Sequence, residues 1–229
     1  MAGKGKDIAV AIDGPMGSGK STIAREVARR LGYRHVDTGA MYRAVAAAAL
    51  RRGVSPDDAE GLAALAARVR VEPGATPDHG SRVFVDGEDL TPFLRSVEVN
   101  RIVGQVARVP GVRAALRDTQ RAFGAAGRVV MEGRDIGSVI LPDAAVKVFL
   151  TASPEERARR RQAELAAAGE IVPLDEVRRI EAEDDRAATT RELAPLVVAS
   201  DATVIDSTEL SVDEVVARVL ALVERARGL

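Results

Sequence analysis

Between an apolar run and a helical pattern near the start of the chain stands GPMGSGKST, Gly14 to Thr22. Its first eight residues fit G-x-x-x-x-G-K-[ST], and the flanks are those the pattern requires, a strand before it and a helix after it. Glycines let the main chain approach a polyphosphate and aim N–H groups at it, while the following helix N-terminus adds positive potential. Lys20 is spaced to reach the β- and γ-phosphates of a nucleoside triphosphate, and Ser21 to place its hydroxyl on Mg²⁺. Of 33 basic residues only those at 4, 6, 20 and 147 are lysine, so a lysine here weighs more than any one arginine elsewhere.

Other chemistries are narrowed by what the chain lacks. With no cysteine and only His35 and His79, the sequence offers no disulfide, no thiolate metal site, no cysteine nucleophile and no multi-histidine metal centre. A formal net charge of −1 lacks the basic surplus of a protein that grips nucleic acid through its backbone phosphates. No apolar run reaches membrane-spanning length and no signal-peptide pattern precedes the first strand, which predicts a cytoplasmic protein without membrane partners. A guanine-nucleotide switch should carry Asn-Lys-x-Asp and a strand ending in Asp-x-x-Gly, and neither occurs. A phosphotransferase acting on a small molecule is the better reading.

Short β-branched runs alternating with amphipathic stretches predict an α/β fold with a largely parallel sheet. Ile8 to Ile12 reads as a buried strand, Lys20 to Leu31 as a helix stopped by Gly32, and YRHVDTG as a second short strand. A helix follows, closing at Gly53, and then another in SPDDAEGLAALAARV, with Ser55 as its cap and Pro56 in its first turn. From about Val69 the pattern changes. VRVEP and RVFVDGED predict a small antiparallel patch turning at Asp86-Gly87, an insertion on the parallel framework. Two helices are expected at Ser96 to Arg108 and Val112 to Phe123, divided by Pro110-Gly111. RVVMEG, AVKVFLTA and ATVIDS complete about five core strands. Capping boxes are predicted at Ser153/Glu156 and Ser211/Glu214, and the polar stretch LDEVRRIEAEDDRAATTREL between those helices reads as a loosely anchored, movable helix.

IDGPMGSGKST, DTGAMYRA, VPGVR, EGRDIG, RARRR and TTREL-APL occur in an order and spacing that resembles the bacterial cytidylate kinases, from about Ile8 to Leu220. The resemblance implies one P-loop kinase domain over residues 1–229, with a monophosphate-binding insertion at about 60–110 and a helical lid at about 153–190. It implies transfer of the γ-phosphoryl of ATP, with Mg²⁺, to CMP or dCMP by a monomeric enzyme. Gly14, Pro15, Met16, Gly17, Ser18, Gly19, Lys20, Ser21, Thr22 and Arg157 would hold ATP, and Ser21 the metal. Arg43, Arg134 and Arg191 would hold the acceptor phosphate, with Thr38 beside the acceptor nucleotide and Arg113 and Asp135 facing the base. Lys20, Arg134 and Arg160 would stabilise the migrating group.

Taken alone, several of these pieces admit plainer readings. TGAMYR can simply start a helix, with Thr38 as its cap and Arg43 in solvent; in EGRDIG, Arg134 and Asp135 can neutralise each other; RARRR is ordinarily a solvated face. Arg157, Arg160 and Arg161 share a helical face and Arg159 lies off it. His35 and His79 read as incidental loop or strand-end residues, and Glu132, at a strand end, as a holder of metal-bound water. The chain departs from the resemblance in its lid-side segment. Where many relatives read Arg-Asp-x-x-Asp-Ser-x-Arg it reads DDRAATTR, so Asp184 replaces an arginine and Ala188 an aspartate, and Gly104 stands where relatives carry serine. The missing side chains are those the resemblance associates with sugar and base.

Overall fold

A computed structural model describes residues 7–75, 81–167 and 169–228. His79 and the polar N-terminal segment 1–6 lie outside the described residues. The elements run β1 (Ala9–Asp13), α1 (Lys20–Leu31), β2 (Arg34–Asp37), α2 (Thr38–Arg51), α3 (Ala59–Arg68), β3 (Val71–Ala75), β4 (Ser81–Val85), β5 (Glu88–Asp89), α4 (Val97–Val106), α5 (Pro110–Ala125), β6 (Val129–Gly133), β7 (Val146–Thr151), α6 (Pro154–Ala167), α7 (Leu174–Thr190), β8 (Thr203–Asp206) and α8 (Val212–Arg227). A 3₁₀ turn spans Thr91–Phe93 and a π-helical turn Ile136–Ile140.

Five strands form a parallel sheet in the order β2-β6-β1-β7-β8. Alternation along each strand sends side chains to opposite faces. Val10 and Ile12 of β1 and Val130 of β6 pack with Ile23, Val27, Val216 and Val219 of α1 and α8 on one side. Ala11, Val129 and Met131 pack on the other side with α2, α3 and α5. Alanines 44 and 46–49 of α2 are all buried, and their small side chains let that helix lie between the parallel sheet and the antiparallel sheet β3-β4-β5. The insertion expected from about Val69 is thus the second sheet, joined to the core through α2.

Two helix starts differ from expectation. Ser55 does not cap α3; it closes a preceding turn, and Asp58 caps instead, its carboxylate accepting from Gly61 N at 2.8 Å. A carboxylate at this position satisfies an otherwise orphaned N–H, so Asp58→Ala is expected to cost about 1 kcal/mol in urea unfolding and Ser55→Ala only a few tenths. Pro110 does not divide two helices; it opens α5 at the first turn, where its missing N–H costs nothing.

The predicted capping box at Ser153 is half formed. Glu156 N donates to Ser153 Oγ at 3.2 Å, but Ser153 N donates to Thr208 Oγ1 and the Glu156 carboxylate accepts from Arg160. At Ser211 and Glu214 both halves are present. The helix read as loosely anchored, α7, buries Val177, Glu181 and Ala188 and packs on α6.

Candidate active site

Parallel α/β sheets gather ligands at the carboxyl ends of their strands. Here β1 ends at Asp13, β2 at Asp37 and β6 at Gly133, so the phosphate-binding loop, the start of α2 and the Arg134–Asp135 pair all emerge on one rim.

Two glycines fix the loop between β1 and α1. A Cβ on Gly14 would lie 2.0 Å from the Leu150 carbonyl oxygen of neighbouring β7. Gly17, at φ +72°, would meet Glu181 Oε1 at 2.6 Å and the Arg157 carbonyl at 2.9 Å. Gly19 is the N-cap of α1, with no side-chain cap and no acidic residue in the first turn. The first N–H groups of α1 therefore keep their positive potential for a ligand, unlike those of α8. Lys20 curls back across the loop and donates to the Pro15 carbonyl at 2.7 Å. Burial, followed by the like charge of Arg134, lowers its ammonium to about 8, against the pull of Glu132, Asp13 and Asp37.

Ser21 Oγ donates to Glu132 Oε2 at 2.9 Å. A hydroxyl beside a carboxylate is an oxygen donor set of the kind Mg²⁺ takes. The other Glu132 oxygen lies 2.9 Å from His35 Nε2, and both side chains are buried. His35 is thus no incidental strand-end residue: it fixes the carboxylate that faces Ser21. A histidine inside a buried strand was the available signal. Thr38 does not cap α2. Asp37 does, accepting from Ala40 N at 2.9 Å, while the buried Thr38 hydroxyl donates to the Glu132 carbonyl at 2.8 Å.

Asp13 was missed by sequence reasoning. Its two oxygens accept Ile136 N and Gly137 N, each at 2.7 Å, docking the π-helical turn that follows Asp135 against the end of β1. Burial raises its carboxyl to about 6 even so, aided by Asp135 and opposed by the two amides and Lys20.

Arg134 and Asp135 do not neutralise each other. Asp135 Oδ2 is hydrogen-bonded by Arg113 Nη2, and its Oδ1 faces Arg191 Nη2 at 3.9 Å. Arg113 and Asp135 are both buried, and Arg113 lies over the Tyr42 ring at 5.5 Å. Burial pushes the Asp135 carboxyl up, against the pull of Arg113 and Arg191. Arg134 turns instead to Asp184 on α7, at 2.6 Å.

Arg43 is half-buried and does not stand free in solvent. Its Nε is buried without a hydrogen-bond partner, as is Arg191 Nη2. Burial lowers both guanidinium groups, and like charges add to this: Arg95, Arg161 and Arg134 for Arg43, Arg113 and Arg134 for Arg191. Cations so gathered, with N–H groups left over, are suited to an anion with several oxygens. Arg95 and Arg161 belong to this cluster although neither was singled out for the acceptor site; helical spacing placed Arg161 on the right face but named no target.

Arg157 donates to the Met16 carbonyl at 3.0 Å and to Asp185 at 2.6 Å, so it joins the loop to α6 and α7. Arg160 is held by Ser207, with Nη1 to its hydroxyl at 2.9 Å and Nη2 to its carbonyl at 2.7 Å, and it reaches the Ser18 carbonyl at 3.5 Å. Glu181, buried on α7 above Gly17, has no hydrogen-bond partner at either oxygen. Burial lifts it to about 7, with Asp185 and Asp184 adding to the rise and Arg157 and Arg161 opposing it. Among the described residues no cluster of three or more His, Asp or Glu could hold a metal by itself, and no helix is long and apolar enough to cross a membrane.

A glycine-rich loop between a parallel strand and a helix, guanidinium groups gathered on the same rim, and α6 and α7 packed against that loop make the fold that of a P-loop phosphotransferase. The sequence pattern of the cytidylate kinase family matches residues 10–225. A cytidylate kinase of Pelotomaculum thermopropionicum is 52% identical over 218 residues, covering 95% of this chain and 96% of that protein. A bifunctional pantoate ligase/cytidylate kinase of a Synechococcus strain is 48% identical over 215 residues; the match covers 93% of this chain and 40% of that longer protein. Shikimate kinase from Acinetobacter baumannii shares the fold at a TM-score of 0.50 and 15% identity, over 96% of this chain and 95% of the other. The chain belongs to the cytidylate kinase family and is a nucleoside monophosphate kinase.

Proposed function

We propose that the chain carries out its family's reaction, ATP-dependent phosphorylation of CMP, by direct in-line transfer, and that dCMP is a second acceptor. The observation that carries this reading is that the loop and the acceptor cluster meet at the end of β6. Ser21, beside Lys20, donates to Glu132 Oε2 at 2.9 Å, and Arg134 follows Glu132 two residues on. A phosphoryl group lying along that rim would be shared by Lys20 and Arg134.

Gly14 to Thr22 and Arg157 hold the triphosphate of ATP in this reading, while Ser21 and Glu132 hold Mg²⁺. The metal supplies charge neutralisation on the phosphate oxygens. Arg43, Arg134 and Arg191 orient the acceptor phosphate, with Thr38 on the same rim. That phosphate is already anionic at neutral pH, so no general base is required. Lys20, Arg134 and Arg160 stabilise charge on the migrating group, and alignment does the rest. The helices α6 and α7 exclude water, which would otherwise compete as acceptor.

Asp135 supports cytosine as the base. A carboxylate accepts the exocyclic amino group of cytosine and repels the carbonyl that uracil carries in its place. With Ala188 where relatives have a carboxylate, fewer groups address the sugar, which favours use of the deoxynucleotide too. A monomer in the cytoplasm completes the proposal.

A coupled ADP-release assay across CMP, dCMP, UMP, AMP and shikimate tests it. CMP and dCMP should stimulate ATP consumption, with kcat/KM for UMP lower by at least about tenfold. No stimulation by any of the five would refute the reading.

A further inference from the structure

Asp184 is where this chain carries a carboxylate in place of an arginine, and the structure gives that carboxylate a specific neighbour. Asp184 Oδ2 on α7 lies 2.6 Å from Nη2 of Arg134, an ion pair without the alignment of a hydrogen bond, with the two side chains 34% and 27% exposed. Arg134 otherwise stands among cations, its charge felt by Lys20, Arg43 and Arg191. A carboxylate oxygen neutralises a guanidinium as a phosphate oxygen does, but without the alignment seen here it gives up the hydrogen bond that a phosphate can make. The geometry points to Asp184 as an affinity-setting residue for the acceptor, an internal anion that holds Arg134 until the phosphate of the nucleotide displaces it.

This inference rests on the reading that Arg134 receives the acceptor phosphate. It follows that every acceptor binds against an intramolecular competitor, and that removing the charge of Asp184 while keeping its shape tightens binding. A part-exposed ion pair of this kind sets a competition of about two- to fivefold. The lid stays tied down in such a variant, because Asp185 still pairs with the buried Arg157 at 2.6 Å and Val177 and Ala188 remain packed. A purely structural role for Asp184 predicts the opposite sign, since a loosened α7 would weaken acceptor binding.

Calorimetric titration of CMP into the wild type, Asp184→Asn, Asp184→Glu, Arg134→Gln and the Asp184→Asn/Arg134→Gln double variant decides the matter. We expect Asp184→Asn to lower the Kd for CMP by about two- to fivefold, Asp184→Glu to stay near wild type, and Arg134→Gln to raise Kd. In the Arg134→Gln background the Asn substitution should do nothing. If Arg134→Gln weakens CMP binding but Asp184→Asn leaves it unchanged or weaker, the role given to Asp184 is wrong and the acceptor reading of Arg134 stands. If Arg134→Gln leaves Kd unchanged, the acceptor reading of Arg134 itself fails, and this inference with it.

Discussion

Replacing Lys20 by methionine is expected to lower kcat by about 10²- to 10³-fold with CMP and with dCMP alike, while the Kd for CMP measured without ATP stays within about twofold. The magnitude is that of removing one preorganised donor to charge that develops in the transition state. The selectivity follows from position. Lys20 folds over the donor loop onto the Pro15 carbonyl, while the Asp135 carboxylate is bonded by Arg113 instead. Methionine keeps the length of the aliphatic stem and removes only the ammonium, so thermal unfolding should change little. Single-turnover quench-flow separates the two quantities. Equal losses in CMP affinity and in turnover would place Lys20 in the acceptor site instead.

The second result expected to be large concerns base choice. Asp135→Asn should reduce the preference for CMP over UMP, taken as a ratio of kcat/KM, by about ten- to hundredfold, the cost of leaving one buried polar group unpaired. An amide can turn either its oxygen or its nitrogen to the base, so it reads both pyrimidines. Asparagine is a better probe than alanine here. Asp135 lies between the buried Arg113 and the part-buried Arg191; alanine would leave the Arg113 guanidinium with no side-chain acceptor there, whereas the amide oxygen of asparagine can still accept from it, at the loss of the charge alone. Equal losses with CMP and UMP would show that Asp135 organises the pocket without reading the base.

Much of this architecture could be read from the chain because local rules and tertiary packing agree in it. The alternating strands, Gly32 as a helix stop and the Ser211 capping box are short-range features, and the phosphate loop is a contiguous pattern whose chemistry resides largely in its own backbone. Failures came where partners are distant in sequence. His35 and Glu132, 97 residues apart, meet only because β2 and β6 are neighbours in the sheet. Asp13 acquires its role from amides 123 and 124 residues away.

The plainer reading of Arg134 and Asp135 as mutual partners fails for a similar reason. Adjacent residues at a strand end diverge, and each finds its counter-ion on a helix, Arg113 on α5 for one and Asp184 on α7 for the other. Scarcity of lysine does not by itself mark a site. Lys147 is as rare a residue as Lys20, yet it is tied to Asp201 at 2.7 Å and serves the sheet. At α3 the error was one of choice among caps, since Ser55, Asp57 and Asp58 are all competent and only the path of the preceding turn selects Asp58.

The most direct test is calorimetric binding of a bisubstrate compound, adenosine and cytidine joined 5′ to 5′ through five phosphates. If the amide cradle with Lys20 and the guanidinium cluster around Arg134 face one another across a single phosphoryl path, the compound engages both at once. Its Kd should then lie at least about hundredfold below that of CMP, by the effective concentration of a linked pair. Lys20→Met and Arg134→Gln should each abolish most of that gain. A compound that binds no more tightly than the better of ATP and CMP alone, in wild type and variants alike, would contradict the arrangement.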